Sequence, residues 1–313
     1  MREQIAVAKT YGDTLIEMAK VNERVFVLDA DLCRSSGTEL FGKTFPDRAI
    51  QVGLAEQNMI GVAAGLATCG KIPFANTFGV FASRRACDQV AISVALNRLN
   101  VRVCGSNAGL TSALNGATHQ ALEDVAIMRA LPGMTVIDPS DTLEVAQVVR
   151  ALCDYEGPVY LRMARGTMAR CLPDDYKFTL GKAVQLRGGK DVTLMSAGIT
   201  MVMALDAAEM LAGEGIDARV LNVSTLKPLD REAVLKAAAE TGAIVTVENH
   251  NIVGGLGSAV AELLAEELPT PMKRVGVEDR WGDTANMEWL LEAYGLSPAN
   301  VVRATKALLE RKR

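Results

Sequence analysis

Short apolar, β-branched runs recur along this chain at intervals filled by helical periodicity. That alternation limits the fold more than any other feature. RVFVLDAD (24–31), KIPFANTF (71–78), NVRVCGS (100–106), MTVIDPS (134–140) and GPVYLRMA (157–164) are runs of this kind. Near-continuous runs mark strands buried on both faces of a parallel sheet. Between them lie helical stretches. Residues 4–20 place Ile5, Ala8, Leu15, Ile16 and Ala19 on related faces, and helices are also predicted over 56–69, HQALEDVAIMRAL (119–131) and 141–152. Strands and helices in turn predict an α/β fold with a parallel sheet.

Around 172–190 the rhythm breaks in LPDDYKFTLGKAVQLRGGKD, a polar, turn-rich segment that reads as a linker. A second α/β run follows, with strands in DVTLMSAG, DARVLNVS, AIVTVEN and KRVGVED and helices near 201–213, 230–241 and 255–267. The chain is therefore read as two domains, 1–180 and 181–313. Its 313 residues suit two domains, and 49% hydrophobic against 22% charged residues suffices for two cores.

Charge and cysteine usage narrow the function classes. The net charge is −4 with no basic block, so no nucleic-acid partner is expected. The six cysteines form no CxxC pair, which gives zinc and dithiol chemistry no support and fits reduced thiols in the cytoplasm. The N-terminus carries charges throughout, unlike a signal peptide, and no run reaches membrane-spanning length. No membrane partner and no metal ligands of its own are expected.

Ligands of open α/β sheets collect at the carboxyl ends of the strands. The loops there carry Asp31, Ser35, Glu56, Phe78, Phe81, the stretch Asn107 to His119, and Arg165. Glu56 opens an otherwise apolar helix. An acid in a first turn is favoured by the helix dipole; the alternative is a carboxylate held in a dry pocket to bond a ligand nitrogen. His119, one of two histidines, sits at the start of the helix predicted there, where the dipole disfavours a cation. A neutral imidazole can pass protons or bond a hydroxyl; capping is the alternative. Phe78 and Phe81 are adjacent if this stretch is helical, either as core or as a floor for a flat ring. VGGLGSA (253–259) only partly matches a dinucleotide fingerprint and reads instead as tight helix–strand packing, with His250 before it in a structural or interface role.

These residues lie in motifs that resemble a known family in order and spacing: DAD (29–31), GLAEQNMIGVAAGLA, PFANTFGVFA, GATHQALEDVAIMRALPGMTVIDPSD, GPVYLRMARG and ENHNIVGGLGSAVAELLAE. Together they look like the C-terminal half of a transketolase, of the kind encoded as two chains. The resemblance implies a pyrimidine-binding domain followed by a transketolase C-terminal-type α/β domain. It implies thiamine diphosphate, with Glu56 bonded to the aminopyrimidine nitrogen, Phe78 and Phe81 packed on that ring and Asp31 near it. It implies that His119 contacts a substrate hydroxyl, and that Ser35 and Arg165 hold the anionic end of the sugar. The family's diphosphate and Mg²⁺ motif begins GDG; this chain reads GDT at 12–14 and 282–284. An N-terminal partner subunit holding the diphosphate and metal is therefore expected, in a heterotetramer of two chains of each kind.

The chain departs from the family in one region. Related split transketolases usually read SHAGLTVGEDGATHQ where this chain reads SNAGLTSALNGATHQ. Asn107 replaces a His associated with phosphate, Leu114 and Asn115 replace an acidic pair, and Arg34 stands beside Ser35. These positions belong to the substrate channel, so an altered sugar is expected, sulfonated or branched. The competing readings are the β subunit of a 2-oxoacid dehydrogenase, a deoxyxylulose phosphate synthase-like enzyme, and a non-catalytic interaction subunit.

Overall fold

The computed structural model describes residues 2–312. Its strands are β1 (Gln4–Ala6), β2 (Val25–Asp29), β3 (Ala49–Gln51), β4 (Ile72–Phe78), β5 (Arg102–Ser106), β6 (Thr135–Ile137), β7 (Val159–Arg162), β8 (Thr167–Ala169), β9 (Val184–Arg187), β10 (Val192–Ser196), β11 (Ala218–Asn222), β12 (Thr225–Lys227), β13 (Ile244–Asn251) and β14 (Met272–Val277). The first sheet has the order β12-β6-β7-β5-β4-β2-β3 and the second β14-β13-β10-β11-β9. Both are parallel except at one edge, where β12 and β9 run antiparallel. The chain is a mixed α/β protein, as its sequence predicts.

The continuous apolar strands have a direct cause: both faces of the first sheet are covered. One face packs on the helix Glu56–Thr68, whose Met59, Ile60 and Ala63 share a cluster with Leu28 and Ala75. The other packs on the helices Val7–Val21 and Thr142–Asp154, where Tyr11, Leu15, Val148 and Leu152 meet Val27, Phe74 and Leu161. Each large apolar side chain so buried contributes about 1.5–3 kcal/mol relative to exposure. Every residue of β4 is buried, including Asn76. Its amide is satisfied: Nδ2 donates to the Leu28 and Phe74 carbonyls at 3.0 and 2.8 Å, and Oδ1 accepts from Tyr11 Oη at 2.6 Å. That meets the requirement that a buried amide be paired.

Several elements differ from the sequence expectation. The first helix starts at Val7, because Gln4–Ala6 pairs antiparallel with β8. The segment 172–190 is not linker throughout: Val184–Arg187 forms the edge strand β9 of the second sheet. β12, from the second half of the chain, closes the edge of the first sheet beside β6. The helix predicted from His119 starts at Asp124. Residues before it are held as a loop by an Ala108–Ala121 bridge and by the Gly109 N–H donating to the Ala121 carbonyl at 2.9 Å. His119 therefore lies in a loop five residues before the helix, beyond the reach of its dipole.

Candidate active site

β2 to β5 end side by side, and the loops leaving them hold the candidate residues. Glu56 begins its helix and is 0% exposed. It does not cap that helix. Its Oε1 and Oε2 accept from Arg85 Nη1 at 2.9 and 2.8 Å, and Thr77 Oγ1 stands 3.5 Å from Oε1. The carboxylate is thus a buried acceptor, paired with a guanidinium that is 47% exposed. Two ionised oxygens offer about four lone-pair sites, so acceptor capacity remains beyond Arg85.

Phe78 and Phe81 do not share one helix face. Phe78 ends β4 and Phe81 begins a π-helical turn, Phe81–Arg85. Their rings still stack, with centroids 5.9 Å apart and 21° between planes. His119 stands edge-on to both, at 6.0 and 5.3 Å. The wide turn, a form that concentrates at functional sites, brings Arg85 back over Phe81 at 4.2 Å and onto Glu56. A Cβ at Gly79, between the two phenylalanines, would meet Tyr160 Oη at 3.0 Å and the Ala121 Cβ at 3.2 Å. A cavity of about 430 Å³ opens here, lined by Val80, Phe81, Arg84, Arg85 and Thr118, within the range of small-molecule sites.

The substrate-side candidates divide into two groups. In the first, the buried Ser112 hydroxyl bonds the Asn107 and His119 carbonyls at 2.7 and 2.6 Å, and Arg165 Nη1 donates to the Ser112 carbonyl at 3.2 Å. Arg165 N also donates to Thr111 Oγ1 at 3.1 Å. Asn107 is itself left-handed, at φ 55°, a conformation asparagine tolerates better than most residues. One serine thus ties together Asn107, His119 and Arg165, a role sequence reasoning missed. Leu114 and Asn115, at the end of the 3₁₀ stretch Gly109–Asn115, are exposed, Leu114 by 70%. The second group follows β2. Asp31 is exposed at φ 62° and its N–H donates to Gln51 Oε1 at 2.8 Å. Arg34 and Ser35 are exposed on the short helix Cys33–Ser36, with Arg34 3.7 Å from Glu39. The buried acid of the DAD motif is Asp29, which accepts from Ser36 Oγ, Thr38 Oγ1 and the Leu32 N–H.

Behind this surface lies a buried charge network that sequence reasoning also missed. Arg162 donates from Nε to Asp124 Oδ2 at 2.8 Å and from Nη1 to Asp138 Oδ2 at 2.9 Å; Tyr160 Oη adds a bond to Asp124 at 2.7 Å. Burial pushes the Asp124 carboxyl up, but Arg162, His250 and Tyr160 together hold it below its usual value. Burial pushes Asp138 up to about 6 against the pull of Arg162. The available signal was an arginine inside the apolar run GPVYLRMA, since a buried cation requires buried partners. His250 packs into the same network; burial lowers its pKa to about 4.

The glycine-rich VGGLGSA has the structural role expected of it. Glu248 accepts from the Leu256 and Gly257 N–H groups at 2.7 and 2.9 Å, capping the helix Leu256–Glu267 with the chain's own carboxylate. A Cβ on Gly255 would lie 1.9 Å from Glu248 Oε2, and one on Gly257 2.7 Å from Thr246 Oγ1. The glycines permit that close approach.

Known proteins show the same arrangement of domains. The transketolase pyrimidine-binding domain matches residues 3–169 and the transketolase C-terminal domain residues 181–301. The chain is 51% identical over 303 residues to a 6-deoxy-6-sulfo-D-fructose transketolase subunit, SqwH, of Clostridium sp. (strain MSTE9), covering 97% of this chain and 94% of that one. It is 38% identical to an apulose-4-phosphate transketolase subunit of Phocaeicola vulgatus, covering 96% of each. A solved split gene transketolase, described as an inactive β4 tetramer, superposes with a TM-score of 0.92 at 46% identity, covering 99% of this chain and 100% of that one. With two family domains in sequence and a split-gene relative matching end to end, the chain belongs to the transketolase family, as a subunit of its split-gene form.

Proposed function

We propose that this chain is the C-terminal subunit of a thiamine diphosphate-dependent transketolase that moves a two-carbon ketol unit from an anionic ketose to an aldose, and that its sugar carries a sulfonate. The observation that carries the first part is the fully buried Glu56 carboxylate beside the stacked Phe78 and Phe81. A buried acceptor next to an aromatic stack fits an aminopyrimidine. The cofactor, when bound, supplies the electron sink for carbon–carbon cleavage, and the protein supplies position and dryness. Glu56 would hold the ring nitrogen and favour the imino tautomer. Phe78 and Phe81 would pack on the ring, with Asp31 near it. His119 would bond a substrate hydroxyl, and Ser35, Arg34 and Arg165 would meet the anionic end, where a guanidinium fork suits a tetrahedral oxyanion. The diphosphate and Mg²⁺ belong on an N-terminal partner, in a heterotetramer of two chains of each kind. The inactive β4 assembly of the solved relative supports that reading. We place the domain boundary near residue 180 and the protein in the cytoplasm; no helix among the described residues is long and apolar enough to cross a membrane.

The sulfonate assignment rests on the 51% relative and on the changes at Asn107, Leu114 and Asn115. The test is co-purification with the N-terminal subunit, then a donor panel with thiamine diphosphate and Mg²⁺: 6-deoxy-6-sulfofructose, xylulose 5-phosphate, apulose 4-phosphate and pyruvate. The sulfosugar should give the highest kcat/KM. A clear preference for xylulose 5-phosphate contradicts the sulfonate assignment, and turnover of pyruvate alone contradicts the transketolase reading.

A further inference from the structure

A second cavity, larger than the one beside Glu56, stands apart from it. It holds about 600 Å³ and lies in the second domain, against the edge strand β14 and the helices Met287–Ala293 and Pro298–Lys312. The two cavities share no lining residue. Its charged lining is Lys273, Arg274, Arg280 and Arg303 against the single acid Glu278, four cations less one carboxylate, or +3. This stands on a chain whose net charge is −4.

The three arginines are anchored by neutral groups. Arg280 Nη2 donates to the Ala293 carbonyl at 2.6 Å, and its guanidinium lies 3.7 Å over the Tyr294 ring. Arg303 Nη2 donates to Asn300 Oδ1 at 2.5 Å, and Asn300 is fixed in turn to the Gly295 carbonyl at 2.6 Å. Arg274 Nη1 donates to the Ile252 carbonyl at 2.7 Å. Elsewhere in this half of the chain Arg219, Arg231 and Lys306 pair with carboxylates. None of the four cavity cations makes an ion pair among the described residues. Guanidinium groups anchored mainly through one nitrogen each, with most of their N–H groups uncommitted, form a preorganised oxyanion clamp. The volume is that of a site for a small organic molecule rather than for a single ion.

We propose that this cavity is a second ligand site, separate from the Glu56 site, for a compact polyanion of the diphosphate class. Adjacent phosphoryl groups match both the +3 charge and the separate guanidinium anchors, whereas a lone carboxylate would leave most of the charge unmet. The inference is independent of which sugar the enzyme uses.

Titration of the full chain with inorganic pyrophosphate at physiological salt tests it. Trp281 and Trp289 are the only tryptophans. One adjoins Arg280 and the other lies on the helix Met287–Ala293 that borders the cavity, so intrinsic fluorescence reports alongside calorimetry. Saturable binding of one pyrophosphate per chain is expected, with orthophosphate weaker. Arg303→Ala and Arg280→Ala should each weaken it about tenfold or more, the value of a charge-assisted hydrogen bond. Glu278→Gln should tighten it, and Lys236→Ala, an exposed cation outside the cavity, should leave it unchanged. Arg303 is exposed, so its variant retains the fold and keeps the test decisive if Arg280→Ala does not. Absence of saturable binding, or equal affinity in Arg303→Ala and the parent chain, overturns the proposal.

Discussion

Arg85→Met is the perturbation that most directly probes the pairing at the candidate site. Glu56 is wholly buried and accepts two bonds from one Arg85 nitrogen at 2.9 and 2.8 Å, with Thr77 as its only other side-chain partner among the described residues, at 3.5 Å. At 2.8 Å two unit charges attract by roughly 6 kcal/mol at an effective dielectric of about 20, and by roughly 1.5 kcal/mol in bulk water. The guanidinium is 47% exposed, so solvent screening brings the net coupling to about 1.5–3 kcal/mol. Methionine keeps much of the side-chain volume over Phe81 while removing the charge. The assay is a double-mutant cycle by urea denaturation with Glu56→Gln as the second change, which isolates the pairwise term. Arg85→Met should cost about 2–3 kcal/mol with Glu56 present and less than about 1 kcal/mol in the Glu56→Gln background. Equal costs in the two backgrounds would refute the pairing as a source of stability.

Three further outcomes follow from the surrounding structure. Arg162→Met strands two buried carboxylates, Asp124 and Asp138, and should destabilise by about 3–5 kcal/mol, read as a lowered urea midpoint; a change under about 1 kcal/mol contradicts the network. Gly105→Ala would place a Cβ 2.4 Å from Tyr160 Oη, so thermal melting should show an overpacking penalty of about 1–3 kcal/mol. Glu248 has a folded pKa raised to about 7 by burial, so the folded state binds the extra proton between about 4.5 and 7, and its contribution to stability falls as pH rises through that window. His250, lowered to about 4, has the opposite effect: stability rises as pH climbs from about 4 towards 6.5. The two oppose each other in the parent chain. Glu248→Gln should therefore gain on the parent between about pH 4.5 and 7 by an amount on the order of a few kcal/mol, measured as the difference between their urea midpoints; a pH-independent difference contradicts the assignment.

What the sequence revealed was set by burial. β4, β5, β10 and β13 are long or wholly buried runs, and β2 nearly so, so composition alone marks them. β1, β3, β8 and β12 have three residues each and become strands only because a neighbouring backbone pairs with them. The helix expected at His119 failed for a related reason. HQALED has helical propensity, but the Ala108–Ala121 bridge and the turn after Gly116 override it. Glu56 and the phenylalanine pair stand out in sequence because their residue types clash with, or enrich, their surroundings. Arg85 does not: it reaches Glu56 only through the wide turn after Phe81. Ser112 is equally silent, because a serine in a loop shows nothing of the three segments it ties together.

Ketol transfer by Glu56→Gln in the assembled two-subunit enzyme is the sharpest test of the reading that Glu56 faces the cofactor's pyrimidine. The expected result is a fall in kcat of about 10²–10⁴-fold, the range for a lost proton-transfer group, with the partner still bound and the fold retained. Turnover close to that of the parent enzyme, with saturating thiamine diphosphate and Mg²⁺, would contradict it.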